Sequence, residues 1–245
     1  MMLFSKNLKV QVTWSYNSTV NYRINVFTPL LILLLMGVAA VLVYPTLPDR
    51  VPTHFDASGQ PDDYSSRQGF MAWTIGLGFV LYLVLTFIPM LDPFWKKIEH
   101  RYETFLIFRN ITILFIAVIF VLAVQAARTG TFSTQGLGIG VGLMFVMLGN
   151  YMPRLPRNFF FGIRTPWTLA SEEVWRRSHR VGGYLFVAGG VVMMLLALLK
   201  IDMAYSMFGV LLPLVAISGF FYPYLLFKKL QRESDDDSRV NRQDL

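Results

Sequence analysis

The chain has 245 residues, of which 54% are hydrophobic and only 15% charged, and its mean hydropathy is +0.49. It contains no cysteine, which excludes disulfides, a thiolate nucleophile and a cysteine-ligated metal. The formal net charge is +7, but the charges are gathered between long uncharged windows. Such basicity belongs to membrane-flanking loops and headgroup contacts rather than to direct nucleic-acid binding.

Crossing the hydrocarbon core takes about 20 consecutive apolar residues. Six windows meet that need, at roughly 26–44, 70–91, 110–127, 135–152, 181–199 and 203–227. The N-terminal tail, 1–25, precedes them, and the polar/apolar alternation of Lys9–Tyr16 predicts a short strand there. The first apolar run closes on Val43-Tyr44-Pro45 without a small-x-small cleavage site, so it reads as a retained helix rather than a signal peptide.

A long loop, 45–69, joins the first two windows. Pro45, Pro48, Pro52 and Pro61 forbid a regular helix in it. Asp56-Ala57-Ser58-Gly59 fits a type I turn, so Val51–Phe55 runs extended into a hairpin. Asp49, Asp56, Asp62 and Asp63 outweigh Arg50 and Arg67. His54, Asp56, Asp62 and Asp63 are the candidate recognition residues of this loop, where acids attract a cationic peptide. One histidine among carboxylates has no established ligand spacing, and no metal site is assigned.

Residues 92–134 supply a basic connection and the third helix. In the fourth window Gly136, Gly138, Gly140 and Gly142 have no preceding strand and no Lys-Ser/Thr after them. Small residues four apart point to close helix packing, not to a phosphate loop. The short connection Lys200-Ile201-Asp202 makes the last two helices an antiparallel pair, and Pro213 kinks the sixth. The polar residues 228–245 form a disordered tail by composition.

The most polar internal stretch is NFFFGIRTPWTLASEEVWRRSHRVGG, residues 158–183. Thr165-Pro166 is an N-cap followed by proline at the first helical position, and Ser171 with Glu172 and Glu173 is an alternative start. From either start one helix runs through Val174 and His179, with Trp167, Val174 and Trp175 on one broad face. Arg176, Arg177 and Arg180 are placed to reach lipid phosphates. An interfacial anchor explains this composition, but not the order Arg164-Thr165-Pro166-Trp167-Thr168.

Lys and Arg set the orientation. Eighteen of the 22 fall in the two tails and in the second-to-third and fourth-to-fifth connections; only Arg50, Arg67, Arg128 and Lys200 lie on the opposite side. The positive-inside bias places both termini and the 158–183 stretch in the cytoplasm. The expected fold is therefore all-α integral membrane. It has six transmembrane helices, cytoplasmic termini and one long extracytoplasmic loop carrying a short hairpin.

Asn158, Gly162, Arg164-Thr165-Pro166-Trp167-Thr168-Leu169, Trp175 and His179-Arg180 resemble the signature of the SdpI family, over roughly 145–220. Pro48, Pro52-Thr53-His54-Phe55 and Gly59 through Asp62 resemble the DUF1648 segment often found with it, over roughly 27–75. The resemblance divides the chain into a DUF1648-like helix pair, 26–91, and an SdpI-like region, 135–227, whose cytoplasmic motif loop is 153–180. The family's namesake is a membrane immunity protein that protects a bacterium from a secreted toxic peptide. It is also a signal transducer that holds a small repressor at the membrane.

The resemblance thus implies a multi-pass protein of the bacterial cytoplasmic (inner) membrane. Its partners would be the lipid bilayer, a secreted toxic peptide and an ArsR-like transcriptional repressor, with homo-oligomerisation open. Asn158, Gly162, Arg164, Thr165, Pro166, Trp167, Trp175, His179 and Arg180 are the candidate docking residues. Two other classes stay open. A transporter or exporter of small peptides or lipophilic solutes usually carries ionisable groups in its spans, whereas Gln125, Asn150 and Arg109 sit near span ends. A membrane enzyme lacks convergent groups, because His54 lies across the membrane from His100 and His179 and no HExxH or GxSxG occurs. No catalytic residue, metal or cofactor is assigned.

Overall fold

The computed structural model describes residues 8–56 and 60–243, with side chains described over 24–56 and 60–236. The elements in order are α1 (Leu8–Val43), β1 (Arg50–Phe55), β2 (Pro61–Ser66), α2 (Arg67–Phe87), α3 (Trp95–Ile98) and α4 (Tyr102–Thr129). They continue with α5 (Thr134–Tyr151), α6 (Pro166–Ala170), α7 (Glu172–Leu198), α8 (Met203–Val215) and α9 (Tyr222–Gln243). Among the described residues six helical stretches are long and apolar enough to cross a membrane: 24–46, 67–91, 95–129, 134–154, 172–198 and 203–236. Only 11% of the apolar window of the second is buried inside the protein, and Phe27, Leu34, Val41 and Phe79 stand exposed. A water-soluble bundle would not leave so continuous an apolar exterior; here it is the surface that meets lipid. The chain is an all-α integral membrane protein with one small hairpin.

The six helical stretches run back and forth, which gives the bundle two ends. The hairpin, the α4–α5 connection and the α7–α8 turn share one end. The residues around Asp92, the stretch 155–171 and α9 share the other. Phe55 of the hairpin meets Phe132 of the α4–α5 connection, ring centroids 5.1 Å apart. At the opposite end the Phe159 N–H donates to Asp92 Oδ2 at 2.7 Å.

The most extensive helix contact is α5 on α7. Gly142 faces Gly190 and Gly149 faces Gly183; a Cβ at Gly142 would lie 2.6 Å from the Gly190 carbonyl oxygen. Gly136 and Gly140 face the other way, against Leu122 and Val118 of α4. The glycine run is therefore two packing faces, and it lets α5 sit between two neighbours at backbone distance.

The hairpin has its base clamped. The Arg67 N–H donates to the Asp49 carbonyl at 3.0 Å, its guanidinium pairs with Asp49 at 2.8 Å, and its cation rests over Tyr44 at 4.9 Å. Antiparallel pairing runs from Arg50 opposite Ser66 to Phe55 opposite Pro61, with irregularities between Pro52 and His54 and between His54 and Phe55. Pro52 has no N–H for a ladder, so a break in register there is expected. Val51 is fully buried and seats the hairpin on Met36, Phe70, Phe120 and Val124. The expected turn at Asp56–Gly59 falls mostly on residues 57–59, outside the described residues.

Several expectations are corrected. Lys9–Tyr16 lies within α1 rather than in a strand, since a lone strand has no partner with which to pair its backbone. The third helix begins at Tyr102, earlier than 110. The tail from 228, expected to be disordered, continues as helix to Gln243, helped by an i,i+4 pair of Lys229 with Glu233 at 3.7 Å. At Pro213, where a kink was expected, the helix is locally irregular: a π-helical stretch, Ala216–Phe221, follows the proline and carries the chain into α9. A proline removes one i→i−4 bond, and a π turn next to it absorbs the mismatch.

Candidate functional site

The stretch 155–183 folds into a latch over the motif end. Its helix is two helices, not one. Thr165 caps α6, and Thr168 returns the bond by accepting from the Thr165 N–H at 2.9 Å. Ser171, extended at φ −133°, ends α6 and caps α7 through the Val174 N–H at 3.4 Å. Both starts seen in the sequence are used, one after the other.

The break separates the tryptophans, which were expected on one face. Trp175 is 1% exposed and donates from Nε1 to the Leu155 carbonyl at 2.9 Å. Trp167 instead lies against Phe220 and Tyr224 of the last span, at 5.8 and 5.2 Å between centroids. His179 stacks on Trp175 at 4.0 Å and is equally buried. Its Nε2 accepts from the Ile163 N–H at 3.0 Å, and its Nδ1 lies 2.9 Å from the Trp175 carbonyl. An acceptor at Nε2 requires the neutral ring with its proton on Nδ1, donated to that carbonyl.

Gly162 adopts φ +93°, a region L-residues rarely enter, and a Cβ there would overlap the His179 ring. Asn158 is fully buried and closes the preceding turn. Its Oδ1 accepts from the Phe160 and Phe161 N–H groups at 2.9 and 2.7 Å, and its Nδ2 donates to the Pro156 carbonyl at 2.8 Å. Asn158, Gly162, Thr165, Trp175 and His179 thus come together as an internal brace. Of the expected docking residues, Gly162, Arg164, Pro166 and Arg180 are exposed, and Thr165 and Trp167 are half-buried.

Two residues absent from that expectation complete the latch. Asp92 is 4% exposed and binds the Phe94 N–H as well as that of Phe159. Arg157 pairs with Glu172 at 3.2 Å and lies over Phe94 at 5.2 Å. The dipeptide Asp92-Pro93 is a turn-forming signal that could have pointed to the first. Arg176 and Arg177, expected on lipid phosphates, are both held by Glu173, at 2.7 and 2.5 Å.

Arg109 lies deeper than its sequence position suggested. It is 1% exposed within the bundle, donating to Thr86 Oγ1 at 2.9 Å and to the Asn25 carbonyl at 2.6 Å, with Tyr82 beneath it at 5.0 Å. These bonds join α1, α2 and α4. A cation in a bundle needs such satisfaction, and several fixed donors to backbone and hydroxyl make it a clasp rather than a mobile carrier.

At the hairpin end His54 pairs with Asp62 at 2.6 Å. Asp56 accepts from the Gln60 N–H at 2.9 Å and Asp63 from the Tyr64 N–H at 2.8 Å, so the acids do not converge on one point. Beneath β1 opens a groove of about 510 Å³ between α2, α4, α5 and α8.

Residues 154–225 match the SdpI/YfhL protein family. Residues 31–80 match a domain of unknown function, DUF1648. The immunity protein SdpI of Bacillus subtilis (strain 168) is 31% identical over 94 residues, which is 38% of this chain and 45% of that protein. The chain therefore spans less than half the length of that curated relative in the match. No solved structure matches. The SdpI-family segment begins at the end of α5 and contains the latch, α7 and α8; the DUF1648 segment contains the hairpin.

Proposed function

We propose that this chain is a bacterial inner-membrane immunity protein, meeting a secreted toxic peptide at the hairpin end and signalling from the latch end. The observation that carries the reading is the likeness to the immunity protein SdpI, together with a family match over the latch itself. The hairpin end faces outward and both termini lie in the cytoplasm, because most of the Lys and Arg fall in the two tails and in the second-to-third and fourth-to-fifth connections. A toxin arriving from outside meets the hairpin and its groove. A small ArsR-like repressor meets only the inner surface, where Arg164, Pro166 and Arg180 are exposed.

The test is survival. A toxin-sensitive bacterium expressing the full chain is challenged with the peptide fraction secreted by a producing strain. Survivors should rise over those of the empty vector at equal growth. No rise, with the protein verified in the membrane, would exclude immunity to that peptide. Co-fractionation of a co-expressed repressor with membranes, with and without the peptide, tests signalling separately.

A further inference from the structure

We propose that the groove under the hairpin binds the apolar side chains of a cationic amphipathic peptide. The assignment rests on the immunity reading for its biological role, but on the groove's own chemistry for its ligand class. β1 forms the roof, Phe132 closes one edge, Trp73 and Leu77 form one wall, and Ile119 and Met207 line the interior. The volume, about 510 Å³, falls in the range of about 300–1,000 Å³ usual for ligand pockets. The roof is propped, not collapsed: Val51 anchors one side of the hairpin in the core, and the Phe55–Phe132 contact holds the other.

Charge selects the occupant. Among the described lining residues the ionisable ones are His54 and Asp56; no lysine or arginine is among them. Asp62 and Asp63 add negative charge on β2 above. An anionic phospholipid or a fatty acid seated here would place its anionic head beside these carboxylates. A peptide would instead place lysine or arginine there and its apolar side chains below. Met203 and Met207 line the α8 side, and unbranched thioether side chains adapt to varied apolar shapes. Trp73, 71% exposed at the mouth, offers a rigid amphipathic surface to an incoming chain. The groove also joins both family-matched segments, since the α2 residues that line it, Phe70 to Leu77, fall within 31–80 and the start of α8 within 154–225.

The cysteine-free sequence gives a direct test. The full chain carrying Ala204→Cys, in the groove, or Val84→Cys, on the exposed face of α2, is placed in dioleoylphosphatidylcholine nanodiscs. Alkylation by N-ethylmaleimide is timed with a short synthetic leucine–lysine peptide, and separately with laurate. The peptide should slow alkylation of Ala204→Cys about tenfold when present at about ten times its dissociation constant. It should leave Val84→Cys unchanged, and Asp56→Asn with Asp63→Asn should remove most of the protection. Thr74→Cys on the facing wall gives the same readout if Ala204→Cys does not fold. Equal protection by laurate would make the groove an acyl-chain site and overturn the proposal, as would equal slowing at Val84→Cys. This readout uses neither toxin nor cells, so it can hold while the survival assay fails, or fail while survival holds.

Discussion

The backbone N–H of Ile163 donates to Nε2 of His179 at 3.0 Å, joining the loop before α6 to the buried face of α7 across 16 residues. The bond fixes which ring nitrogen carries the proton, and it presses the loop so close that Gly162 has no room for a Cβ. The most polar stretch of the sequence is in this way anchored from inside, by groups that would otherwise be costly to bury.

Gly162→Ala should therefore loosen the latch for two reasons, the left-handed backbone and the overlap with the His179 ring. A strained backbone of this kind costs about 1–3 kcal/mol, and the overlap adds to it. Thermal unfolding of the purified protein should fall, and protease cleavage within 155–171 should rise. Making the change in a His179→Ala background removes the overlap but not the backbone strain. The two substitutions together should then cost less than the sum of their separate effects, and strict additivity would show that the ring contact is unimportant.

Trp175 and Trp167 should behave differently although each belongs to the same motif. Trp175→Phe keeps a ring but leaves the buried Leu155 carbonyl without its Nε1–H donor, a loss of about 1–3 kcal/mol. Trp167→Ala removes a half-buried ring from the surface of the last span and should be milder in thermal unfolding. Equal destabilisation would mean that α6 is as structural as α7.

Glycines should also divide by what surrounds them. Gly142→Ala brings a methyl against the Gly190 carbonyl and should force α5 from α7, lowering the unfolding temperature. Gly209→Ala in α8 meets nothing within 4 Å and should be neutral or stabilising, by about 0.5–1 kcal/mol. A drop for Gly209→Ala would point to a contact with another copy or with a lipid at that face.

The spans were legible because lipid imposes a long, simple pattern: twenty apolar residues read the same in any context. The hairpin was legible from its prolines and from the extended run at Val51–Phe55. The latch was legible only as a motif. Local rules located both caps, Thr165 and Ser171, but could not show that both are used, because the break depends on Ser171 being extended while Thr168 bonds back to the Ile163 carbonyl at 2.8 Å. Asp92 stayed hidden because its partner Phe159 is 67 residues away. Arg109 read as a span-end cation, since distance to a helix terminus says nothing about what two other helices bring to it.

Orientation can be checked without altering the fold. Gln60 on the hairpin and Ser234 in α9 are both exposed, and the native chain has no competing thiol. In intact cells Gln60→Cys should react with a membrane-impermeant maleimide and Ser234→Cys should react only after permeabilisation. The opposite pattern would put the latch outside the cell, out of reach of any cytoplasmic repressor.

Docking, finally, should depend on the surface of the latch and not on its interior. Arg164 is exposed, and its Nη1 donates to the Phe159 carbonyl at 2.8 Å, which sets the side chain in a defined direction. Arg180 is exposed one residue beyond the buried His179. A planar guanidinium pairs with a carboxylate through two parallel bonds, which lysine cannot reproduce. Arg164→Lys and Arg180→Lys should therefore weaken repressor co-fractionation while protein level and toxin survival stay near normal. His179→Ala should instead lower all three together, because it releases the Ile163 N–H and the loop that presents Arg164. If the arginine variants co-fractionate with the repressor as the parent does, the exposed arginines serve the membrane surface and the repressor does not dock on the latch.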